Sequence, residues 1–138
     1  MLDLLVAQGH LTIANLGAAG LDHFGSLVIG NAADTLDDGE AATIACALEM
    51  GAVALIDERK ARRICAECFP MLPLLTTVQM LRRPEITAAL GAIDFRDALV
   101  NALSKARMQV APADREWVMH MIGSECAALF PSLTKISR

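Results

Sequence analysis

Aromatic side chains are scarce in this sequence. They make up 4% of the 138 residues, whereas apolar residues as a whole make up 54%. The core must therefore be built mainly from aliphatic side chains, and a chain of this length buries such a core without disulfides or metals. We predict a single domain, residues 1–138, in which helices pack on a small sheet.

Long apolar runs and an export signal are also lacking. Residues 1–5 contain no basic segment and carry Asp3, which is unlike a signal peptide. The most apolar stretch, 41–56, is interrupted by Glu49 and Gly51 and falls short of the roughly 18 apolar residues of a bilayer span. We expect no membrane association. Because four cysteines without a secretion signal favour reduced thiols, we expect a cytoplasmic protein.

An excess of positive charge is lacking as well. The net charge is −4 and the pI is about 5.3, so nucleic acid would have to be bound by a local basic patch. The one dense basic cluster contains Arg59, Lys60, Arg62 and Arg63. We predict that Arg59, Lys60 and Arg62 contact a phosphate backbone. The alternative is a solvated helix face on which Glu58 pairs with Arg62.

One stretch predicts a helix, a strand and a second helix in succession. Asp37 followed by Glu40 is typical of a capped helix start, and we predict a helix over 38–50 that ends at Gly51. The apolar run 52–56 predicts a strand buried on both faces of a parallel sheet.

The flanking sequence predicts further elements by apolar spacing and by Gly and Pro. In chain order they are a helix at 2–7, a possible strand at 11–14, a helix through 21–28, a loop at 30–36, a helix at 58–68, a strand at 74–75, a helix at 77–82 stopped by Pro84, a buried helix face (Phe95, Leu99, Ala102, Leu103, Ala106) and a helix beginning at Pro112.

Two carboxylates occupy particular ends of these elements. Glu40 lies in the first turn of its helix, and Asp57 follows the strand. The carboxyl ends of strands in open parallel sheets form a ligand-binding edge, and converging carboxylates suit Mg²⁺ or Mn²⁺. The alternative is structural: Asp37 and Glu40 cap one helix, and Asp57 and Glu58 begin the next.

These residues resemble the PIN domain family. Residues 36–41 (LDDGEA) match its LDxGEA element at a helix start, and residues 57–62 (DERKAR) match the acidic pair and xxAR that follow a short strand. The motif core covers 35–63. A looser likeness extends through 74–77, where the family has a strand and a threonine.

The resemblance implies an α/β fold, a three-layer PIN-like arrangement with a small parallel sheet flanked by helices. It also implies a Mg²⁺- or Mn²⁺-dependent ribonuclease, often the toxin of a bacterial toxin–antitoxin pair, with RNA and a small antitoxin-like protein as partners. By the same resemblance, Glu40 and Asp57 are the catalytic metal ligands. Asp38 and Glu58 are neighbours that support them from the second coordination sphere.

The sequence departs from the family before the motif core. The family begins with a strand that ends in its first acidic residue, and neither Asp3, Asp22 nor Asp34 ends such a strand here. We expect an N-terminally incomplete fold, from a truncated or a naturally short chain, which puts catalysis in question. The alternative function is a catalytically inactive interaction module. Its unpaired strand edge would favour a homo-oligomer.

The spacing of Cys65 and Cys68 is that of a lone CxxC. A zinc site would need two further ligands, and only the distant Cys46, Cys126 and His120 are available. We predict that the pair is structural.

Overall fold

The computed structural model describes residues 1–134. Ten helices, two strands and one 3₁₀ turn are formed by these residues: α1 (Leu2–Ala7), α2 (Ala18–Val28), α3 (Asp38–Met50), β1 (Ala54–Leu55), α4 (Arg59–Cys68), β2 (Leu74–Leu75), α5 (Thr77–Leu81), α6 (Pro84–Leu90), α7 (Ala92–Ser104), the 3₁₀ turn Pro112–Asp114, α8 (Arg115–Ile122), α9 (Ser124–Ala127) and α10 (Pro131–Thr134).

The chain divides into two compact units. The first unit comprises Met1–Ala54 and Arg63–Pro73, and the second comprises Leu55–Arg62 and Leu74–Arg138. No helix within the described part of the chain is long and apolar enough to cross a membrane.

Helix α3 is the centre of the first unit. It begins where predicted, because the Asp37 side chain accepts a hydrogen bond of 2.9 Å from the Glu40 N–H. It ends at Gly51, whose φ of 62° lies in the left-handed region that glycine adopts without strain. Its buried face consists mainly of small side chains, and α2 packs along it. The prediction of a helix over 38–50 is confirmed.

Strands β1 and β2 form a two-stranded parallel sheet. The Ala54 N–H donates to the Pro73 carbonyl at 3.0 Å, and the Ile56 N–H donates to the Leu75 carbonyl at 2.9 Å. From the first bond to the second, both the donor and the acceptor move two residues forward along the chain, which is the hydrogen-bond pattern of parallel strands. The predicted α/β class with a small parallel sheet among helices is confirmed.

The first strand is shorter and more exposed than predicted. The Ala52 N–H is used by the end of α3, where it donates to the Ala47 carbonyl. Ala54 and Ile56 are buried, but Val53 is 53% exposed. The sheet therefore covers one face of this segment, and the prediction of burial on both faces is wrong.

A second prediction fails near the N-terminus. The described residues 11–14 form no strand, because none of their backbone groups enters a ladder with β1 or β2. Within residues 1–134, the chain before α3 contains only the helices α1 and α2 and irregular segments.

The second unit has its own aliphatic core. Phe95, Leu99 and Leu103 of α7 are buried as predicted, whereas Ala106 lies beyond the end of α7 and is exposed. Pro84 begins α6 at its first turn instead of only stopping the preceding helix. The buried members of this core are Val78, Phe95, Leu99, Leu103, Val118, Ile122, Ala127 and Leu133.

Candidate active site at the carboxyl ends of the strands

Asp57 and Thr77 follow the two strands at equivalent positions, each two residues after the strand's last residue. The Thr77 N–H donates to Asp57 Oδ1 at 2.7 Å, and the Thr77 hydroxyl donates to Asp57 Oδ2 at 2.6 Å. Both residues are half-buried. The carboxyl edge of the sheet thus holds one carboxylate in a single orientation.

The local sequence fixes Thr77 at the start of α5. Thr76 caps this helix: its hydroxyl accepts from the Gln79 N–H at 3.0 Å, and Gln79 Oε1 accepts from the Thr76 N–H at 2.9 Å. This reciprocal capping box orients the first N–H of the helix. Asp57 therefore receives a backbone donor and a hydroxyl donor from one residue.

The Asp57–Thr77 pair offers oxygen atoms to a ligand. Each carboxylate oxygen retains a lone pair beyond its hydrogen bond to Thr77, and the Thr77 hydroxyl oxygen retains its own. Oxygen ligands of this kind suit Mg²⁺ and Mn²⁺ rather than softer metals. The chemistry of the donor set fits a hard divalent ion that keeps several of its waters.

Glu58 has a different role from the predicted ion pair. Its Oε2 accepts a hydrogen bond of 2.7 Å from the Ala61 N–H in the first turn of α4, so it caps that helix. Arg62 instead donates to the carbonyl of Ile56 at 3.0 Å. The predicted Glu58–Arg62 pair is wrong, because both side chains bind nearby backbone groups.

The basic cluster on α4 is divided in its contacts. Arg59 is exposed in the first turn of α4, and Lys60 is half-buried. Arg63 forms an ion pair with Glu67 at 2.9 Å and donates to the Ala33 carbonyl at 2.8 Å. Arg63 therefore makes its contacts within the first unit. Arg59, Lys60 and Arg62 belong to the second unit, as Asp57 does.

Glu40 and Asp38 lie on the first turn of α3, in the first unit. Glu40 is half-buried and Asp38 is exposed. Among residues 1–134, no group of three or more His, Cys, Asp and Glu side chains is gathered as a metal-binding cluster. A metal site shared by Glu40 and Asp57 stays a prediction.

The two cysteines of the CxxC differ in environment. Cys65 is buried and Cys68 is exposed on α4, and within residues 1–134 neither these two cysteines nor Cys46 and Cys126 form a disulfide.

The sequence patterns missed two contacts. Thr77 could have been found from its position. It follows the last residue of β2 by two residues, just as Asp57 follows the last residue of β1. Glu49 gave no such signal. Its carboxylate accepts hydrogen bonds from the Gly17 N–H at 2.9 Å and the Gly20 N–H at 3.1 Å, and so caps α2 from the last turn of α3.

The environment of Glu49 favours its charged form. Hydrogen bonds from the backbone of Gly17 and then of Gly20 lower the pKa of this carboxyl below its ordinary value of 4.5. Desolvation opposes them, and the charge of His23 has a smaller lowering effect. A Cβ at Gly17 would lie 2.7 Å from Glu49 Oε1. A side chain at this position would displace the Glu49 carboxylate from its hydrogen bonds.

An α/β domain with a fixed carboxylate at the carboxyl edge of a parallel sheet belongs to a class that binds its ligands at that edge. A sequence model of the PIN domain family matches residues 24–123, so this chain is a member of the PIN domain family. The family associates the chain with nucleases and nucleic acids, and its members generally depend on divalent metal ions. Neither the curated proteins nor the solved structures contain a match to the chain.

Proposed function

We propose that this protein is a Mg²⁺- or Mn²⁺-dependent endoribonuclease whose active centre is built around Asp57. One observation supports this most strongly. In a member of the PIN domain family, an aspartate two residues after β1 is held through both oxygens by Thr77, the first residue of α5. Such a carboxylate is oriented before a ligand arrives, which is the condition for an effective metal ligand.

We further propose that Glu40 completes the pair of carboxylates that hold the ion. When bound, a divalent ion supplies an activated water and neutralises charge on the scissile phosphate. Within the chain, Thr77 orients Asp57, and Asp38 and Glu58 add negative charge near the two ligands.

We also propose that the phosphate backbone of RNA binds at the start of α4. Arg59 is exposed two residues after Asp57, and Lys60 and Arg62 follow on the same helix. Cationic side chains at this place bind phosphate and fix the register of a strand without reading its sequence. A small antitoxin-like protein that blocks this surface would make the enzyme the toxin of a bacterial toxin–antitoxin pair.

The test is cleavage of a mixed-sequence RNA by the purified chain. Mn²⁺ should support cleavage and EDTA should abolish it. Asp57→Asn should also abolish it, whereas Asp97→Asn, the same change at an exposed position of α7, should cleave like the wild type. Equal cleavage by the wild type and Asp57→Asn would remove Asp57 from the site.

A second candidate function is a catalytically inactive interaction module that forms a homo-oligomer. A specific observation favours it: the first unit has an apolar groove of about 480 Å³ between the end of α3 and the segment 68–73, and Met71 beside it is 92% exposed. A second copy would cover such a surface. Light scattering of the wild type and Met71→Glu tests this, since a dimer that becomes a monomer in the variant supports the module and a monomeric wild type rejects it.

A further inference from the structure

The positive charge of this protein is concentrated in the second unit. Residues 1–58 contain no Lys or Arg, so all 12 basic side chains follow. Among the described residues, the second unit has nine Lys and Arg against eight Asp and Glu, a formal charge of +1, whereas the first has one against eight, a charge of −7. An acidic protein of this kind still presents a net positive unit to a polyanion.

One arginine of that unit lies over an aromatic ring. Arg82 follows the last residue of α5, and its guanidinium carbon lies 5.3 Å from the centre of the Trp117 ring. Arg82 Nη1 donates to Asp114 Oδ1 at 2.9 Å. The Asp114 side chain is only 10% exposed, whereas that of Arg82 is 47% exposed.

The ring beneath Arg82 is itself fixed. Trp117 contacts the fully buried Phe95 edge to face, with ring centres 6.1 Å apart and planes at 77°. The guanidinium group thus contacts a ring anchored in the core and a buried carboxylate. The ion pair with Asp114 offsets much of the positive charge of Arg82. A ligand would therefore interact with the planar guanidinium mainly by stacking and less by charge attraction.

Arg82 and the candidate active site lie at opposite ends of the same short helix, α5. Thr77 is the first residue of α5 and Arg82 follows its last. At 1.5 Å per residue, the two positions are separated by about 8 Å along the axis. The two positions are also about 140° apart around the axis, so a strand bound at Asp57 would have to follow the side of α5 to bring its next nucleotide to Arg82.

We propose that Arg82, supported by Trp117 and Asp114, is a base-stacking subsite for a single-stranded RNA nucleotide that flanks the scissile phosphate. Unstacked bases pack on guanidinium planes and aromatic rings in this way, and every base has a face to offer. This subsite rests on the proposed function, because it presumes an RNA strand at Asp57. It adds a contact with the base to a surface otherwise built for phosphate.

Trp117 is the only tryptophan of the chain, so its fluorescence reports on this subsite directly. The full chain is titrated in EDTA, where no cleavage occurs, with a single-stranded RNA oligomer and with an abasic oligomer of the same length. The wild type should bind the base-bearing oligomer about tenfold more tightly and its fluorescence should change on binding.

Arg82→Lys keeps the positive charge and the reach to Asp114 but removes the plane. It should bind both oligomers about equally, whereas Arg83→Lys, the same change at the exposed neighbour, should keep the tenfold preference. A wild type without preference, or Arg82→Lys with the full preference, would overturn the subsite and leave the nuclease proposal standing. A wild type that binds neither oligomer would overturn both. Because the comparison of oligomers on the wild type needs no variant, a folding defect in Arg82→Lys does not block the test.

Discussion

Each unit of this protein uses a carboxylate to accept two hydrogen bonds from the start of a helix, but the two carboxylates have different surroundings. In the first unit, Glu49 accepts from the backbone of Gly17 and Gly20. In the second, Asp57 accepts from the backbone and the hydroxyl of Thr77. The glycines add no side-chain oxygen, whereas Thr77 adds one beside the carboxylate. Similar capping geometry therefore gives a structural link in one unit and a candidate metal ligand in the other.

The charge of the two units sharpens the difference. Glu49 lies in a unit with one basic side chain, Arg63, which is already paired with Glu67. Asp57 lies in a unit with nine among the described residues. The proposed polyanionic substrate would be repelled by the charge of the first unit and attracted by the basic side chains of the second.

The largest expected effect is on the rate of RNA cleavage, which should depend on Asp57 but not on Glu49. Asp57→Asn should lower RNA cleavage by roughly a hundredfold or more, because charge that stabilises the transition state is lost. Glu49→Gln is the matched change in the other unit and should leave the cleavage rate unchanged. If both variants lose activity to the same degree, the distinction between a structural and a catalytic carboxylate is wrong.

A smaller effect is expected at the residue that orients Asp57. Thr77→Val removes the hydroxyl at nearly constant volume and should reduce cleavage roughly tenfold, as loss of an outer hydrogen bond to a metal ligand does. Thr77→Ser keeps the hydroxyl and should stay close to the wild type. Steady-state cleavage rates at saturating Mn²⁺ provide the comparison, and a Thr77→Ser rate as low as that of Thr77→Val would contradict a role for the hydroxyl.

The next prediction tests Glu49 through pH. Because its pKa is lowered in the folded state, its contribution to stability is present above the ordinary value of 4.5 and is lost as the pH falls through the lowered value. Glu49→Gln should therefore melt at a lower temperature than the wild type at neutral pH. The gap should close as the solution is made more acidic. Thermal melting followed by circular dichroism measures this, and a gap that stays constant down to acid pH would exclude the carboxylate's charge as the cause.

The smallest effect concerns the CxxC. Replacing Cys65 and Cys68 by Ala should leave the metal content of the purified protein unchanged and should destabilise it by only about 1 kcal/mol, the cost of a small cavity at the buried Cys65. Elemental analysis of the wild type and the variant measures the metal content. Stoichiometric zinc in the wild type that disappears in the variant would show that these thiols bind metal.

Local signals predicted the elements better than the contacts between them. The limits of α3 follow from Asp37 and Gly51, which act within one turn of the helix. The length of β1 does not follow from such local signals. The strand begins later than the apolar run because the Ala52 N–H is already bonded to the end of α3.

The same contrast holds for the candidate site. Asp57 is a candidate because it follows an apolar strand, which is a local signal. Its partner Thr77 lies 20 residues further along, and the Gly17 partner of Glu49 lies 32 residues away. The position of Thr77 after β2 can be read from the sequence, but its hydrogen bonds to Asp57 cannot. Such pairings depend on how the elements pack, which the spacing of apolar residues in one sequence does not encode.

The most direct test of the central claim is Mn²⁺ binding measured by titration calorimetry. The wild type should bind Mn²⁺ weakly, because a site with few carboxylates leaves the ion most of its water. The Glu40→Gln, Asp57→Asn double variant should bind at least about tenfold more weakly, and Glu49→Gln should bind like the wild type. Equal affinity of the wild type and the double variant would show that Glu40 and Asp57 do not form the metal site.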